Sequence, residues 1–209
     1  MNSLNEIILN YNDSLIYESD LGLLKEGNWL NDRIIGFCCD YFENEIFKQE
    51  CERKLLAFVN PSTVQYLKLC ESLEEAKMCF LEPLVLQEKK VIFLPLNNNK
   101  TTQAGGCHWS LLLIDNRNSK MIHYDSIGSN SDEASLFFYK FKEFFDCKEL
   151  LNEEKFPKQT NNSDCGAYVL AAIELIAENV KKNNEISLPD IKYNLISEQY
   201  ISDLRKKLI

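Results

Sequence analysis

Cys165 has the surroundings that a nucleophilic thiol needs. It follows the capping side chains of Asn161–Asp164 and begins an apolar run typical of a buried helix. Unpaired backbone N–H groups and the helix dipole at such an end favour negative charge on sulfur, and the thiolate is the form that attacks. Gly166 would let a substrate carbonyl approach the backbone closely. Considered alone, however, one cysteine among eight is better explained as a buried structural thiol.

His108 is the first candidate for a general base that would activate this thiol. It follows Gly105, Gly106 and Cys107 and opens a predicted strand, which places it at the mouth of a sheet. The alternative is a histidine that only ends a loop. The chain has one other histidine, His123, which lies within a later strand and competes for the role.

Asp125 is the candidate that would orient the base. Polar residues 116–119 predict a turn that pairs strands 108–115 and 120–127 as antiparallel neighbours. His108 lies eight residues before this turn begins and Asp125 six after it ends, so the two come close to opposition. His123 lies two residues nearer the turn and pairs less naturally. A carboxylate beside His108 would fix the imidazole tautomer and stabilise the imidazolium.

Gln159 lies six residues before Cys165 and is a candidate oxyanion donor. Its amide N–H and the backbone N–H of Cys165 would together bind the negative oxygen of a tetrahedral intermediate. The alternative is a solvated loop glutamine. Each of these signals is weak alone, but a histidine after glycines, a strand-end aspartate and this glutamine together predict a cysteine protease.

Helices at both ends of the chain and strands in its middle would position these side chains. Apolar residues three and four apart predict an amphipathic helix from Leu30 to Phe47, with Asn31 or Asp32 as its cap. This order of elements indicates an α+β fold with a central, mostly antiparallel sheet flanked by helices. The other predicted elements are helix within 60–80, a strand at 91–96, a polar loop at 97–106, the paired strands, a helix at 133–147 and a buried helix at 166–181.

The composition fits a single globular domain that spans residues 1–209. Hydrophobic residues make up 45% and charged residues 26% of the chain, which is long enough to bury a sizeable core. The formal charge of -9 argues against a nucleic-acid partner, because phosphate binding needs a surplus of Lys and Arg. No apolar stretch approaches the ~18 residues of a membrane-spanning helix, so no membrane association is expected.

The eight cysteines predict a reducing compartment, the cytoplasm and/or the nucleus, because no secretory signal precedes them. With two histidines and no Cys-x-x-Cys pair, no metal site is predicted. No organic cofactor is implied, and we expect a monomer.

Four motifs of this chain resemble those of the sentrin/SUMO-specific cysteine proteases, the ubiquitin-like-protein proteases of the papain-like clan. In the family's order they are Trp29-Leu30-Asn31-Asp32, His108-Trp109-Ser110-Leu111, His123-Tyr124-Asp125-Ser126 and Gln159 to Gly166. The resemblance implies a papain-like fold whose nucleophile starts a buried helix. It also implies a catalytic set: Cys165 as nucleophile, His108 as base, Asp125 as the orienting residue and Gln159 as oxyanion donor.

Three longer stretches resemble the deneddylase branch of this family: Trp29 to Phe42, Phe80 to Leu84 and Gln103 to Leu112. The resemblance implies cleavage after the C-terminal Gly-Gly of the neddylation modifier, in a precursor or in a conjugate on lysine. The modifier and its conjugates would then be the partners. The alternatives are a SUMO or ubiquitin protease on the same scaffold, a non-catalytic ubiquitin-like-protein binder, and an acyltransferase.

The resemblance also implies substrate-binding roles for Trp29, Trp109 and Asp32. The two indoles would form a narrow tunnel around the modifier's tail, and only glycine lets an extended backbone pass between them. Core packing is the alternative for Trp109. Asp32 would meet a basic residue near the tail, with a helix cap as its alternative. The loop 97–106 resembles one that the substrate orders, and Cys107 stands where the family pattern favours threonine.

Overall fold

A small hairpin and a short helix open the described part of the chain. The computed structural model describes residues 6–183 and 191–208. Strands β1 (Ile7–Tyr11) and β2 (Ser14–Tyr17) pair antiparallel, and helix α1 (Glu18–Leu21) follows at once. The sequence predicted none of these elements, because the strands pair only with each other and β1 is largely exposed, which leaves little alternation of apolar and polar residues.

Helix α2 (Asp32–Tyr41) confirms the predicted amphipathic helix. Its cap is Asn31, whose side chain accepts a hydrogen bond from the backbone N–H of Ile34 at 3.0 Å. The helical path continues through Phe42–Ile46 as a wider π-helical turn. This places Trp29 immediately ahead of a firmly capped helix.

The segment after α2 builds one edge of the central sheet. Helix α3 (Glu50–Leu55) leads into β3 (Leu56–Phe58), and α4 (Pro61–Leu69) and α5 (Leu73–Ala76) follow. Helix α4 has a proline at its first position, where the missing N–H costs no hydrogen bond. The predicted helix within residues 60–80 is thus two helices.

The middle of the chain supplies the three predicted strands: β4 (Val91–Asn97), β5 (Trp109–Asp115) and β6 (Lys120–Tyr124). The third strand ends at Tyr124 rather than residue 127. The strand ends there because of two nearby hydrogen bonds. The Asp125 carboxylate accepts the backbone N–H groups of residues 127 and 130 at 2.8 Å each, and these bonds turn the chain away from the sheet.

The C-terminal part holds α6 (Ser131–Phe141), β7 (Glu149–Asn152), α7 (Cys165–Asn183) and α8 (Glu198–Lys207). The helix predicted at 133–147 starts earlier and ends sooner, and β7 was not predicted. Strand β7 is only four residues long and forms by pairing with β6, so its own residues carry little signal. No helix of the described residues is both long and apolar enough to span a bilayer.

The central sheet has the order β3-β4-β5-β6-β7. The inner pairs, β4 with β5 and β5 with β6, run antiparallel, as predicted. The outer pairs, β3 with β4 and β6 with β7, run parallel, so the sheet is mixed. Each outer strand is reached through a helical connection rather than a tight turn, which is the connection that parallel pairing needs.

Each face of the sheet carries its own hydrophobic core. Residues alternate along β4, so Val91 and Phe93 enter one cluster while Ile92, Leu94 and Leu96 enter the other. The first cluster includes α2 and α7, and the second includes α4 and α6. Trp109 and Cys165 belong to the first cluster. The predicted domain of residues 1–209 includes the segments 1–5, 184–190 and 209, which lie outside the described residues.

Candidate active site

His108 and Asp125 lie in contact at one end of the sheet. Leu111 faces Tyr124 in the β5–β6 ladder. Continuing that register places Asp125 opposite Ser110, with His108 two residues further along the same face. Nε2 of His108 lies 2.7 Å from Oδ1 of Asp125. The predicted proximity is therefore confirmed, and so is the predicted register, because Asp115 pairs with Lys120 directly across the turn.

The electrostatics of this pair favour two opposite charges. Burial opposes ionisation of Asp125, but hydrogen bonds from His108 and from backbone N–H groups such as that of Ile127 outweigh it and lower the pKa of Asp125. Burial likewise opposes a charged His108. The hydrogen bond to Asp125 and the interaction with the Cys165 thiol outweigh that effect and raise the pKa of His108 to about 9.

Cys165 is the first residue of α7 and is almost fully buried. The carbonyl of Asp164 accepts the hydrogen bond from the backbone N–H of Tyr168 at 2.9 Å, which starts the helix. The preceding loop is folded by Asn161, whose Oδ1 accepts the N–H groups of Ser163 and Asp164 at 3.0 Å each. The thiol therefore sits at the N-terminus of a long buried helix, as predicted.

The tautomer of His108 decides which of its nitrogens can serve the thiol. A carboxylate accepts hydrogen bonds, so Asp125 holds the proton of His108 on Nε2. This leaves Nδ1 as the basic atom. Nδ1 is buried and has no hydrogen-bond partner within the described residues. With Cys165 close enough to affect the charge of the ring, the arrangement can pass a proton from sulfur to Nδ1.

The other cysteines lack this setting. All eight are free thiols. Burial raises the pKa of Cys38 and of Cys147 to about 12 each, so these two thiols stay protonated and unreactive. Cys107 is exposed, and its sulfur accepts a hydrogen bond from the side chain of Asn98 at 3.3 Å. Cys165 alone combines a helix N-terminus with a neighbouring imidazole.

His123 does not compete for the base role. It opposes Leu112 in the ladder, and its Nδ1 lies 3.1 Å from the side-chain oxygen of Asn152 on β7. Burial lowers the pKa of His123, which keeps its ring neutral. The structure thus separates the two histidines: one meets a carboxylate and a thiol, and the other meets an amide.

Gln159 is held by Ser126, a residue to which the sequence assigned no role. Oε1 of Gln159 accepts the Ser126 hydroxyl at 2.6 Å, and the two backbones bond at 3.0 Å. Nε2 of Gln159 donates to the carbonyl of Asn161 at 2.6 Å. An amide nitrogen carries two N–H donors, so the second remains for an oxyanion. Ser126 fixes which end of the amide presents nitrogen.

Gly166 is required for packing. A Cβ at this position would lie 3.0 Å from Cβ of Leu30 and 3.3 Å from Cδ1 of Ile35. The missing side chain lets the start of α7 approach Leu30 and α2. The structure thus gives buried Gly166 a packing role, and the access that it would give to a substrate carbonyl stays a prediction.

A cleft of about 900 Å³ opens beside Cys165. Trp29, Asp32 and Trp109 line it, as do residues 101–107 of the loop before His108. Among the described residues, no group of three or more His, Cys, Asp or Glu side chains is placed to hold a metal ion. The cleft therefore combines aromatic walls, one acid and the thiol.

The two tryptophans differ in their exposure. Trp29 is 49% exposed, and its Nε1 donates to the carbonyl of Asn162 at 2.6 Å. Trp109 is 8% exposed, and its Nε1 donates to the carbonyl of Leu30 at 3.0 Å. Trp109 therefore both packs in the core and faces the cleft, while Trp29 is tied to the loop that precedes Cys165.

Asp32 is exposed at the first position of α2. Its Oδ1 accepts the backbone N–H of Arg33 at 3.1 Å. The Arg33 side chain turns away to Asp20 at 2.6 Å, and within the described residues Asp32 has no ion pair. Since Asn31 caps the helix, the carboxylate of Asp32 is open to a basic group in the cleft.

The loop between β4 and His108 is anchored at its base, which the sequence did not indicate. The buried ammonium of Lys68 donates to the carbonyls of Asn97 and Asn99 and pairs with Glu133 at 3.0 Å. At the other end, the side chain of Asn98 accepts the backbone N–H of His108 at 3.2 Å. The polar loop is thus tied down on both sides of its tip.

The family is decided by a match over most of the chain. The model of the Ulp1 protease family, C-terminal catalytic domain, matches residues 28–209. The chain belongs to this family. It is therefore a cysteine peptidase of the Ulp1 type, and the match includes all the candidate site residues, from Trp29 to Cys165.

Curated relatives of this Ulp1-family chain extend over nearly its whole length. Sentrin-specific protease 8 of Rattus norvegicus is 39% identical over 203 residues, which cover 95% of this chain and 90% of the relative. The protein of that name from Homo sapiens is 38% identical, with 95% and 92% covered. NEDD8-specific protease 1 of Arabidopsis thaliana is 28% identical over 212 residues, with 97% and 90% covered.

Solved structures share the fold of this chain at low sequence identity. The Ulp1 protease domain in complex with Smt3, the yeast ortholog of SUMO, has a TM-score of 0.71 at 19% identity and covers 99% of this chain and 86% of its own. Xanthomonas campestris effector XopD bound to ubiquitin has a TM-score of 0.59 at 22% identity, with 86% and 90% covered. These likenesses confirm the predicted α+β fold.

Proposed function

We propose that this chain cleaves the bond after the C-terminal Gly-Gly of the neddylation modifier, in precursors or in conjugates on lysine. One observation carries the proposal: beside Cys165, Nδ1 of His108 has no hydrogen-bond partner among the described residues, while Asp125 holds the opposite nitrogen. The choice of modifier is supported by the names of the relatives, one of which is a NEDD8-specific protease.

Before acylation, the proton of the Cys165 thiol has passed to Nδ1 of His108, which leaves a thiolate beside a charged imidazolium. The sulfur attacks the carbonyl carbon of the modifier's last glycine, and the carbonyl oxygen becomes an oxyanion. The Gln159 amide and the backbone N–H of Cys165 donate hydrogen bonds to this oxygen. When the intermediate collapses, the C–N bond breaks, the imidazolium protonates the leaving amine, and a thioester remains on Cys165.

Water completes the reaction at the same atoms. Nδ1 of His108 takes a proton from water, and the oxygen attacks the thioester carbon. The C–S bond then breaks, the modifier leaves with a free carboxylate, and the imidazolium returns its proton to the sulfur. Asp125 keeps its charge throughout, holds the ring in one tautomer and stabilises the imidazolium.

Trp29, Trp109 and Asp32 select the substrate in this proposal. The two indoles line the cleft that contains Cys165, so a tail with side chains larger than a hydrogen atom would clash as it passes between them. The unpaired carboxylate of Asp32 would attract a basic residue of the modifier near its tail.

We also propose that the chain works as a monomer in the cytoplasm or nucleus. Eight free thiols support a reducing compartment, because exposed thiols such as Cys51, Cys79 and Cys107 would be oxidised elsewhere.

The test is covalent trapping with a panel of modifier vinyl-sulfone probes, one each for the neddylation modifier, SUMO and ubiquitin. We expect the neddylation probe to react fastest and mass spectrometry to find the adduct on Cys165. The variant Cys165→Ala should not react, whereas Cys107→Ser should react as the unmodified chain does, because Cys107 is exposed and has no role in the proposed mechanism.

Other outcomes would overturn separate parts of the proposal. Fastest reaction with the SUMO or ubiquitin probe would reject the neddylation modifier and keep the mechanism. An adduct on another cysteine would reject the nucleophile. Binding of all probes without an adduct would favour a non-catalytic module.

A further inference from the structure

Arg205 lies in the C-terminal helix α8 and is almost fully buried, with 1% of its surface exposed. A guanidinium group has five N–H donors in a rigid plane, and here the protein accepts hydrogen bonds from all three of its nitrogens. The acceptors, at 2.8–3.4 Å, are the carbonyls of Leu23, Lys25, Asn28 and Ser163 and the Oδ1 atom of Asp164.

These acceptors belong to two segments that are far apart in the chain. The first, residues 23–28, leads directly into Trp29. The second, residues 163–164, leads directly into Cys165. Trp29 adds a bond between the residues that adjoin these two segments, because its Nε1 donates to the carbonyl of Asn162 at 2.6 Å. Arg205 therefore lies behind both the aromatic wall of the cleft and the nucleophile.

The positive charge of Arg205 is also neutralised, by the carboxylate of Asp164. Oδ1 of Asp164 lies 2.8 Å from the guanidinium, and its Oδ2 accepts the side-chain N–H of Asn161 at 2.7 Å. Asn161 also folds the loop before Cys165 through its own Oδ1. The cation is thus linked through one carboxylate to the side chain that shapes the nucleophile's loop.

We propose that Arg205 is a positioning residue that sets the distance between Trp29 and the Cys165 thiol. Three carbonyls of the Trp29 segment and two groups of the Cys165 loop converge on one rigid plane, so neither segment can shift without breaking bonds to the other. The inference rests on the proposed function, since it concerns how the cleft holds a Gly-Gly tail against the thiol.

The conservative variant Arg205→Lys tests this role. Lysine keeps the charge and can pair with Asp164, but it lacks the planar fork that reaches both segments. We expect kcat/KM on a modifier-aminocoumarin substrate to fall about 10²-fold, the effect of a misplacement of about 1 Å. Alkylation of Cys165 by iodoacetamide should stay close to the unmodified rate, because this small reagent does not need the aromatic wall.

A readout that does not depend on turnover is the ¹⁹F NMR signal of Trp29 in 5-fluorotryptophan-labelled protein. The chain has two tryptophans, so Trp109→Phe assigns the two resonances. We expect Arg205→Lys to move the Trp29 resonance. The matched control is Lys206→Met, the next residue on α8, whose exposed side chain pairs with Asp203 alone in the described residues. Lys206→Met should change neither readout.

Three results would overturn the inference: an unmoved Trp29 resonance in a folded Arg205→Lys variant, unchanged modifier turnover, or equal losses of turnover and alkylation, which a purely structural residue would produce. Asp164→Asn weakens the same clamp from the other side, so it should repeat the pattern even if Arg205→Lys folds poorly. Failure of the proposed function is distinct, because the unmodified chain would then not turn over the modifier substrate while the Trp29 resonance still reported the clamp.

Discussion

Three effects set the charge of His108: its burial in the protein, its hydrogen bond to Asp125 and its interaction with Cys165. The pKa of His108 in the folded chain is about 9, above its ordinary value of about 6.5. A group with a raised folded pKa contributes stability below the unfolded pKa and loses it as the pH rises through the folded value. The charged pair therefore persists through neutral pH and is lost towards pH 9.

The charge of His108 predicts how kcat/KM falls at alkaline pH, which is the alkaline limb of its pH profile. Acylation uses the imidazolium to protonate the leaving amine, so we expect kcat/KM to fall as the pH rises through about 9. Asp125→Asn removes the main group that raises this pKa. The limb should then move to lower pH, and kcat/KM at pH 7 should fall by about 10²–10⁴-fold.

The control for this experiment is His123→Asn, measured with the same modifier-aminocoumarin substrate from pH 5 to pH 10. His123 contacts Asn152 rather than the thiol, so its alkaline limb should match that of the unmodified chain. If Asp125→Asn kept the limb in its original place, Asp125 would not control the charge of His108.

At the scale of elements, the loop before His108 depends on one glycine. Gly106 has a φ of +85°, and a Cβ there would lie 1.9 Å from Oδ1 of Asn97. Both the backbone conformation and the space exclude a side chain. Gly105 differs, because a Cβ there would meet Asn99 no closer than 3.6 Å, an ordinary contact. The chain thus provides a matched pair of adjacent glycines.

Gly106→Ala is expected to displace the loop and with it His108, two residues later. A misplacement of about 1 Å would lower kcat/KM by about 10²-fold. Gly105→Ala should stay near the unmodified activity. Kinetics on the modifier substrate and the thermal midpoint of both variants are the measurements. Equal activity of the two variants would show that the loop adapts without moving the base.

The elements around the nucleophile are joined by contacts that cannot be predicted from any short stretch of the sequence. Lys68 of α4 holds the loop before the base, and Gly166 lets α7 approach Leu30. The sequence alone gives no reason to expect a lysine within helix α4 to be buried, yet Lys68 is buried and pairs with Glu133. A buried ion pair that loses one partner leaves an uncompensated charge, which is why such residues matter only once the helices pack.

Across the whole molecule, the hydrophobic core is divided into two clusters by the central sheet. The cluster on one face includes Trp109 and Cys165, and the cluster on the other includes Phe137 of α6. Phe137 is fully buried, whereas its neighbour Leu136 is 52% exposed. Substitutions at the buried apolar positions of α6, which make none of the polar contacts of the site, should therefore change the free energy of unfolding and leave the chemistry unchanged.

Phe137→Ala is expected to lower the free energy of unfolding by about 3–5 kcal/mol, from lost burial and the cavity left behind. Leu136→Ala should change it by less than about 0.5 kcal/mol, because that side chain is exposed. Urea denaturation measures both. At a temperature where the variants remain folded, kcat/KM should equal that of the unmodified chain. A large loss of kcat/KM in folded Phe137→Ala would show that the two faces are coupled.

The sequence by itself determined the reacting groups and the elements that carry them. The sequence placed Cys165 at a helix start, His108 at the opening of a strand and Asp125 near the end of one. These are features of a few consecutive residues, because backbone periodicity and capping are local. The three inner strands and the α+β class followed from the same local patterns.

Only the tertiary structure decided how these groups face one another. Which nitrogen of His108 is left for the thiol depends on where Asp125 lies. Strand β7 and the anchor of Arg205 behind Cys165 exist through partners distant in the chain. Such contacts are made by packing between distant segments, and no short run of residues encodes the position of its partner.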